Sequence, residues 1–132
     1  MSTFGAMDTA SSGLVLYRKW LDSVSDNIAN MNDVRSTSDS AFQARYVVAQ
    51  AADYGNAGGV QVAGIALGDA KGRVVQQPDH PLADAEGNVR LPDIDLSDQM
   101  TQLIIAQRGY QANLAVVERA HDSYSAALQL GR

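Results

Sequence analysis

Cysteine is absent from the 132-residue chain, and that absence excludes disulfides, thiolate catalysis and Cys-ligated zinc or iron–sulfur centres. It does not assign a compartment, since a thiol-free chain works in oxidising and reducing spaces alike. No stretch approaches the roughly 20 apolar residues of a membrane span. The first eight residues, Met1 to Asp8, lack a basic segment followed by an apolar run, so no cleaved secretory signal is expected. Aromatic residues make up 6% and charged residues 19% of a chain that is 45% hydrophobic. That balance is globular, but with few large anchors the expected core is thin, with helices packed on helices. Runs of basic residues are missing as well. Ten Lys and Arg against fifteen Asp and Glu leave a net charge of −5, which weighs against nucleic acid, whose phosphates need clustered Lys and Arg.

Three segments separate by pattern. From Met7 to Met31 the residues Met7, Ala10, Leu14, Tyr17, Leu21, Val24, Ile28 and Met31 recur three or four apart, the seam of a helix packed along its length on another helix. Gly13 lies inside it and weakens an isolated helix by about 1 kcal/mol relative to Ala. Between Phe42 and Pro92 the period changes. Tyr46-Val47-Val48, Val60-Gln61-Val62, Ile65-Ala66-Leu67, Val74-Val75 and Val89-Arg90-Leu91 are short β-prone runs. The turn-rich stretches Gly55–Gly59, Asp69–Gly72 and Asp84–Asn88 punctuate them. Pro78, Pro81 and Pro92 forbid a long helix there. The last segment carries the strongest pattern: Leu96, Met100, Leu103, Gln107, Tyr110, Leu114, Val117, His121, Tyr124 and Leu128 alternate spacings of four and three. Asp95 is a natural N-cap, and Gly131 stands where a helix stop belongs. About 35 residues at roughly 1.5 Å each make a rod on the order of 50 Å long.

The expected fold is therefore α+β. Long N- and C-terminal helices (1–33 and 94–132) form a coiled-coil-like core, with a loop and a small antiparallel β segment (34–93) between them in one structural domain. Ile104, Ile105, Val116 and Ala120 widen the C-terminal stripe beyond what one partner helix covers. The two helices lie at opposite ends of the chain, so closing them costs loop entropy before packing offsets it. The termini are accordingly expected to be loose in the dilute monomer and to order when copies pack side by side. Full helicity and a sharp cooperative melt by circular dichroism at low micromolar concentration would refute that expectation.

Catalytic constellations are not found, and no cofactor or metal is expected. His80 sits in a turn between Asp79 and Pro81. His121 lies on the C-terminal seam with Ser125, not a second ligand, four residues on, and reads as a half-buried packing histidine. Gly55–Gly59 lacks the GxxxxGK[ST] of a phosphate loop and reads as a flexible hairpin tip. Asp93, Asp95 and Asp98 lack calcium-loop spacing and are accounted for by helix capping. Asp84 and Glu86 form a solvated turn with no acid–base partner.

Two polar elements stand inside the seams: Asn27-Ile28-Ala29-Asn30 in the first helix and Gln107-Arg108-Gly109-Tyr110-Gln111-Ala112-Asn113 in the last. Asn in a helical seam costs stability but fixes register and neighbour identity. The expected assembly surface is therefore Leu14, Tyr17, Leu21, Val24, Asn27, Ile28, Asn30, Leu103, Arg108, Tyr110, Asn113, Leu114, Val117 and Tyr124.

With these motifs the chain resembles the flagellar axial proteins (rod, hook and hook-associated proteins). Ser12-Gly13-Leu14 followed by Asn27-Ile28-Ala29-Asn30 is similar to the N-terminal motif of that group, and Gln107–Asn113 to its C-terminal helix. Pro78-Asp79-His80-Pro81-Leu82-Ala83-Asp84, then Gly87 and Val89, then Leu91-Pro92-Asp93-Ile94-Asp95, resembles the stretch particular to the proximal rod, or FlgC, family. Trp20, Asn32 and Asn88 depart from the family's usual Arg, Thr and aromatic residue. The resemblance implies a structural subunit of the basal-body rod that carries motor torque and assembles with copies of itself, other rod proteins and the rod-to-membrane-ring adaptor. It also implies passage, unfolded and uncleaved, through the flagellar export apparatus. Nucleic acid and small-molecule substrates are not expected partners. A soluble coiled-coil adaptor or export-chaperone-like protein, binding a partner helix through the same stripe, is the alternative, and a small β-domain enzyme or ligand-binding module is a third.

Overall fold

A computed structural model describes residues 3–53 and 58–131. In chain order the elements are α1 (Thr3–Asn30), β1 (Arg45–Ala52), β2 (Gly59–Leu67), β3 (Arg73–Gln76), β4 (Asn88–Leu91) and α2 (Leu96–Leu130). The architecture is α+β, two long helices enclosing a small β segment in sequence. The β segment is two separate two-stranded sheets, β1 with β2 and β3 with β4. α1 begins four residues before the expected seam, at Thr3. Of the glycine-rich tip, Gly55, Asn56 and Ala57 lie outside the described residues; Gly58 has a left-handed backbone (φ 62°), and Gly59 already opens β2.

The chain divides into two compact units. One comprises Met1–Leu21, Val47–Gly64 and Ile104–Arg132; the other comprises Asp22–Tyr46 and Ile65–Leu103. The first unit buries small residues: Ala10, Ala52, Ala106 and Ala120. The second holds all four of the largest fully buried side chains, Val24, Val89, Asn27 and Pro92. In the first unit many of the large apolar side chains stay on the outside, and alanines and glycines do the packing by letting backbones approach closely.

The second unit is framed by β3 and β4, which pair antiparallel with Arg73 opposite Leu91 and Gln76 opposite Asn88. Arg35 extends that ladder: its N–H donates to the Arg90 carbonyl and its carbonyl accepts the Arg90 N–H, both 2.8 Å. The Arg90 guanidinium reaches back to the carbonyls of Lys71 and Thr37, tying the 37 loop and the 71 turn to one strand. Gly72 closes that turn with φ 57°, and a Cβ there would overlap the Leu91 carbonyl and come within 2.6 Å of the Ala41 Cβ. Backbone conformation and space both exclude a side chain at this position. Gly72→Ala is expected to destabilise the chain by at least about 2 kcal/mol, read as a lower melting temperature.

The turn leading into β4 is organised by Asp84. Its carboxylate accepts the N–H of Asn88 at 2.8 Å and of Glu86 at 3.0 Å, and the Thr37 hydroxyl at 2.9 Å. The Asn88 bond is the main reason its pKa lies below the ordinary value of 3.8. A carboxyl whose folded pKa is depressed stabilises the fold above its unfolded pKa and loses that contribution as pH falls through the folded one. Asp84→Ala should therefore lower the melting temperature at pH 7, with a gap to the parent that narrows as pH drops below 3.8. A gap that is constant with pH would contradict this.

α2 starts as the sequence leads one to expect. Asp95 Oδ1 accepts the Asp98 N–H at 3.1 Å, an N-cap that satisfies one of the unpaired donors of the first turn. The helix runs 35 residues to Leu130, with Gly131 next.

Candidate assembly interface

In the first unit α1 and α2 meet antiparallel. The Phe4 ring stands edge-on to Tyr124 with centroids 5.4 Å apart, Gly13 lies against Asn113, and Gly109 lies against the Tyr17 ring. A Cβ on Gly13 would fall 2.6 Å from Asn113 Oδ1, and one on Gly109 would overlap the ring carbons of Tyr17. These two helical glycines are what permit the close approach. Asn113 Nδ2 donates to the Gly109 carbonyl at 2.8 Å, holding its amide against Gly13, and Tyr17 is stacked on Trp20 at 5.9 Å. In the second unit the two helices meet through amides: Asn27 Nδ2 donates to Gln99 Oε1 at 3.0 Å, and both residues are almost fully buried.

These contacts move one column of the expected α2 seam by one residue. Gln99, Ala106 and Ala120 are buried, and Asn113 makes the contact to Gly13. Those four positions recur every seven residues along α2, each one before the expected Met100, Gln107, Leu114 and His121. In α1 the displacement is partial: Gly13 and Asn27 are buried beside half-buried Leu14 and Ile28, while the expected Ala10 and Val24 are themselves buried. The cause is size: small and amide side chains let the backbones come together, whereas Leu and Met on that column would hold them apart. His121 is consequently exposed, beside Asp122 at 3.6 Å, and not the half-buried packing histidine expected.

Of the residues expected at an assembly surface, Val24 and Asn27 are turned into the interior of their own unit. Tyr17 and Asn113 contact the facing helix. Leu14, Leu21, Ile28, Leu103, Tyr110 and Val117 are half-buried. Asn30 is half-buried too, and its side chain bonds to the Asp26 carbonyl in its own helix at 2.8 Å. Arg108 is exposed, and Leu114 and Tyr124 remain 39% and 44% exposed. Large apolar side chains outside that set also face solvent: Leu96 and Met100 in the second unit, and Ile104, Ile105, Val116 and Leu128 in the first.

Two functional details were not foreseen from the sequence. Asn27 acts as a substitute backbone amide for β1: its Oδ1 accepts the Arg45 N–H at 2.7 Å, and its Nδ2 lies 3.0 Å from the Arg45 carbonyl. Ser12 holds β2, its Oγ accepting the Val60 N–H at 3.1 Å while donating to the Thr9 carbonyl. In the first unit an open cleft of about 380 Å³ is lined by Thr9, Gly13, Leu16, Tyr17, Gly59, Val60 and Asn113. Among the described residues no three His, Asp or Glu side chains gather as a metal site would need. The chemistry on offer is packing and amide hydrogen bonding.

Residues 85–130 match the family model described as the C-terminal region of the flagellar basal body rod FlgEFG proteins. The flagellar basal-body rod protein FlgC of Yersinia enterocolitica is 38% identical over 134 residues, covering all of both chains. That of Salmonella typhimurium is 34% identical over 134 residues, and that of Bacillus subtilis 29% over 150 residues, again with full coverage of both chains. Two long terminal helices with an apolar face to spare, together with these relatives, define a structural subunit of the bacterial flagellar basal-body rod and not an enzyme. Within that class the chain belongs to the flagellar basal-body rod protein FlgC family.

Proposed function

We propose that this rod subunit sits in the proximal rod and assembles through the apolar faces of α1 and α2 that the single chain leaves uncovered. A rod subunit assembles with other rod components; here they include copies of this chain, neighbouring rod proteins and the adaptor that joins the rod to the membrane ring. The observation that carries the reading is the set of large apolar side chains left exposed around α2, Ile104, Ile105, Leu114 and Val116 in the first unit above all. Apolar area of that kind is stabilised when a neighbour removes it from water, at roughly 25 cal/mol per Å². Many such contacts in parallel distribute torque, so no single one has to be strong. The residues that support assembly are Leu14, Tyr17, Leu21, Val24, Asn27, Ile28, Asn30, Leu103, Arg108, Tyr110, Asn113, Leu114, Val117 and Tyr124, to which the exposed Met100, Ile104, Ile105 and Val116 are added. Val24 and Asn27 contribute by fixing the shape of the subunit from within. The β segment selects neighbours, and the chain reaches its site unfolded through the flagellar export apparatus.

A clean deletion in the source bacterium, followed by electron microscopy of basal bodies and a swimming assay, tests this reading. Membrane rings without rod, hook or filament, and motility restored by the intact gene, are expected. Normal basal bodies and normal swimming would overturn it. The soluble-adaptor alternative has no support in the relatives, which are rod proteins by name.

A further inference from the structure

We infer that Met100 is an oxidation site, and that a methionine sulfoxide there blocks assembly without unfolding the subunit. The chain has no cysteine, so its methionine thioethers are the sulfur atoms a peroxide can reach. Met7 and Met31 are half-buried, whereas Met100 is 45% exposed; Met1 lies outside the described residues. Exposure controls thioether oxidation, which makes Met100 the first of these three to react. The reaction is a two-electron oxygen transfer. A lone pair on Met100 Sδ attacks the peroxide oxygen, the O–O bond breaks, the S–O bond forms, and hydrogen peroxide leaves as water.

The position of Met100 decides the consequence. Its neighbour Gln99 points into the second unit and holds Asn27, while Met100 shares the outer face of α2 with Leu96 four residues before it, also exposed. A polar sulfoxide on that face leaves the buried contacts of the unit intact. It puts a strongly hydrated S=O dipole on a face that a neighbour would remove from water, so covering it costs that hydration. This step rests on the reading that the outer face of α2 is covered in the rod. The assembled subunit would then be protected and the free one vulnerable.

The test has two arms. Purified full-length chain is treated with hydrogen peroxide, and sulfoxide formation at each methionine is followed by peptide mass spectrometry alongside thermal melts. Met100 is expected to oxidise at least about threefold faster than Met7 or Met31, with an unchanged melting temperature. In the deletion strain, Met100→Leu should restore rods to normal numbers and Met100→Gln, which carries polarity at similar length, should reduce them at least about tenfold. Equal or faster oxidation of Met7 or Met31 would overturn the site. Rods from Met100→Gln as numerous as from the parent would overturn the consequence. A deletion strain that still builds rods would instead overturn the rod reading, leaving the oxidation order to stand or fall on the first arm.

Discussion

Asn27→Ala lowers the stability of the free chain by about 3 kcal/mol, the expected result of leaving the Arg45 N–H, the Arg45 carbonyl and Gln99 Oε1 without their partner. Asn27 is 1% and Gln99 2% exposed, so water cannot replace the lost bonds without opening the unit. For a chain of this length the melting temperature should fall by roughly 10 °C. Asn27→Asp separates the two halves of the interaction: it keeps the acceptor for the Arg45 N–H and loses both donations, placing a carboxylate against two carbonyl-type oxygens. It should be at least as damaging as the alanine variant. Asn30→Ala supplies the contrast. The Asn30 side chain bonds to the Asp26 carbonyl in its own helix, so its loss should cost no more than about 0.5 kcal/mol. Pairing Asn27→Ala with Gln99→Ala in a double-mutant cycle should give a coupling of roughly 1 kcal/mol or more. Equal costs for the two asparagines, or additivity in the cycle, would show that the first helix is not anchored this way.

Much of this fold is legible in the sequence, and the part that is not has a definite cause. The length of α2, its Asp95 cap and its stop before Gly131 follow from patterning that spans ten turns. The β-prone runs at Tyr46, Val60, Ile65, Val74 and Val89 all fall within observed strands, because branched residues between Gly and Asp turns leave few alternatives. One column of the α2 seam fails by one residue, while Ala10, Tyr17, Val24 and Tyr124 stand where expected; the miss comes from assuming that the largest apolar side chains always face the partner helix. At the displaced column the partner is met by Gln99, Ala106, Asn113 and Ala120, and Met100 and Leu114 stand on the adjoining column. A signal was available: Gly13 and Gly109 each cost a helix about 1 kcal/mol, a penalty that makes sense where backbones touch. The seven-residue recurrence of Gln99, Ala106, Asn113 and Ala120 points the same way. By contrast, nothing local announces that Ser12 holds Val60 or that Asn27 substitutes for a backbone amide at Arg45. Those pairings join positions 48 and 18 residues apart and depend on how the chain returns.

The displaced seam also sharpens the test of assembly. Leu114→Asp should yield a folded subunit that builds no rod. Leu114 is 39% exposed, and the helix contact in its own unit is made by Asn113 beside it, so an aspartate at 114 keeps its solvation in the free chain. The folding cost should stay below about 1 kcal/mol. In the assembly the same carboxylate would be buried against apolar neighbours without a counter-charge, a penalty of several kcal/mol repeated at each subunit contact. Expression in the deletion strain should therefore give subunit of normal melting temperature, rings without rods, and no swimming. Val117→Asp should also fail to build rods. Val117 is half-buried in the single chain, so its variant should melt earlier as well, and comparing the two separates a failure of packing within the subunit from a failure of packing between subunits. Normal rods and motility from Leu114→Asp would mean that the outer column of α2 is not a subunit contact. The exposed leucines, isoleucines and valine of that helix would then need a different neighbour.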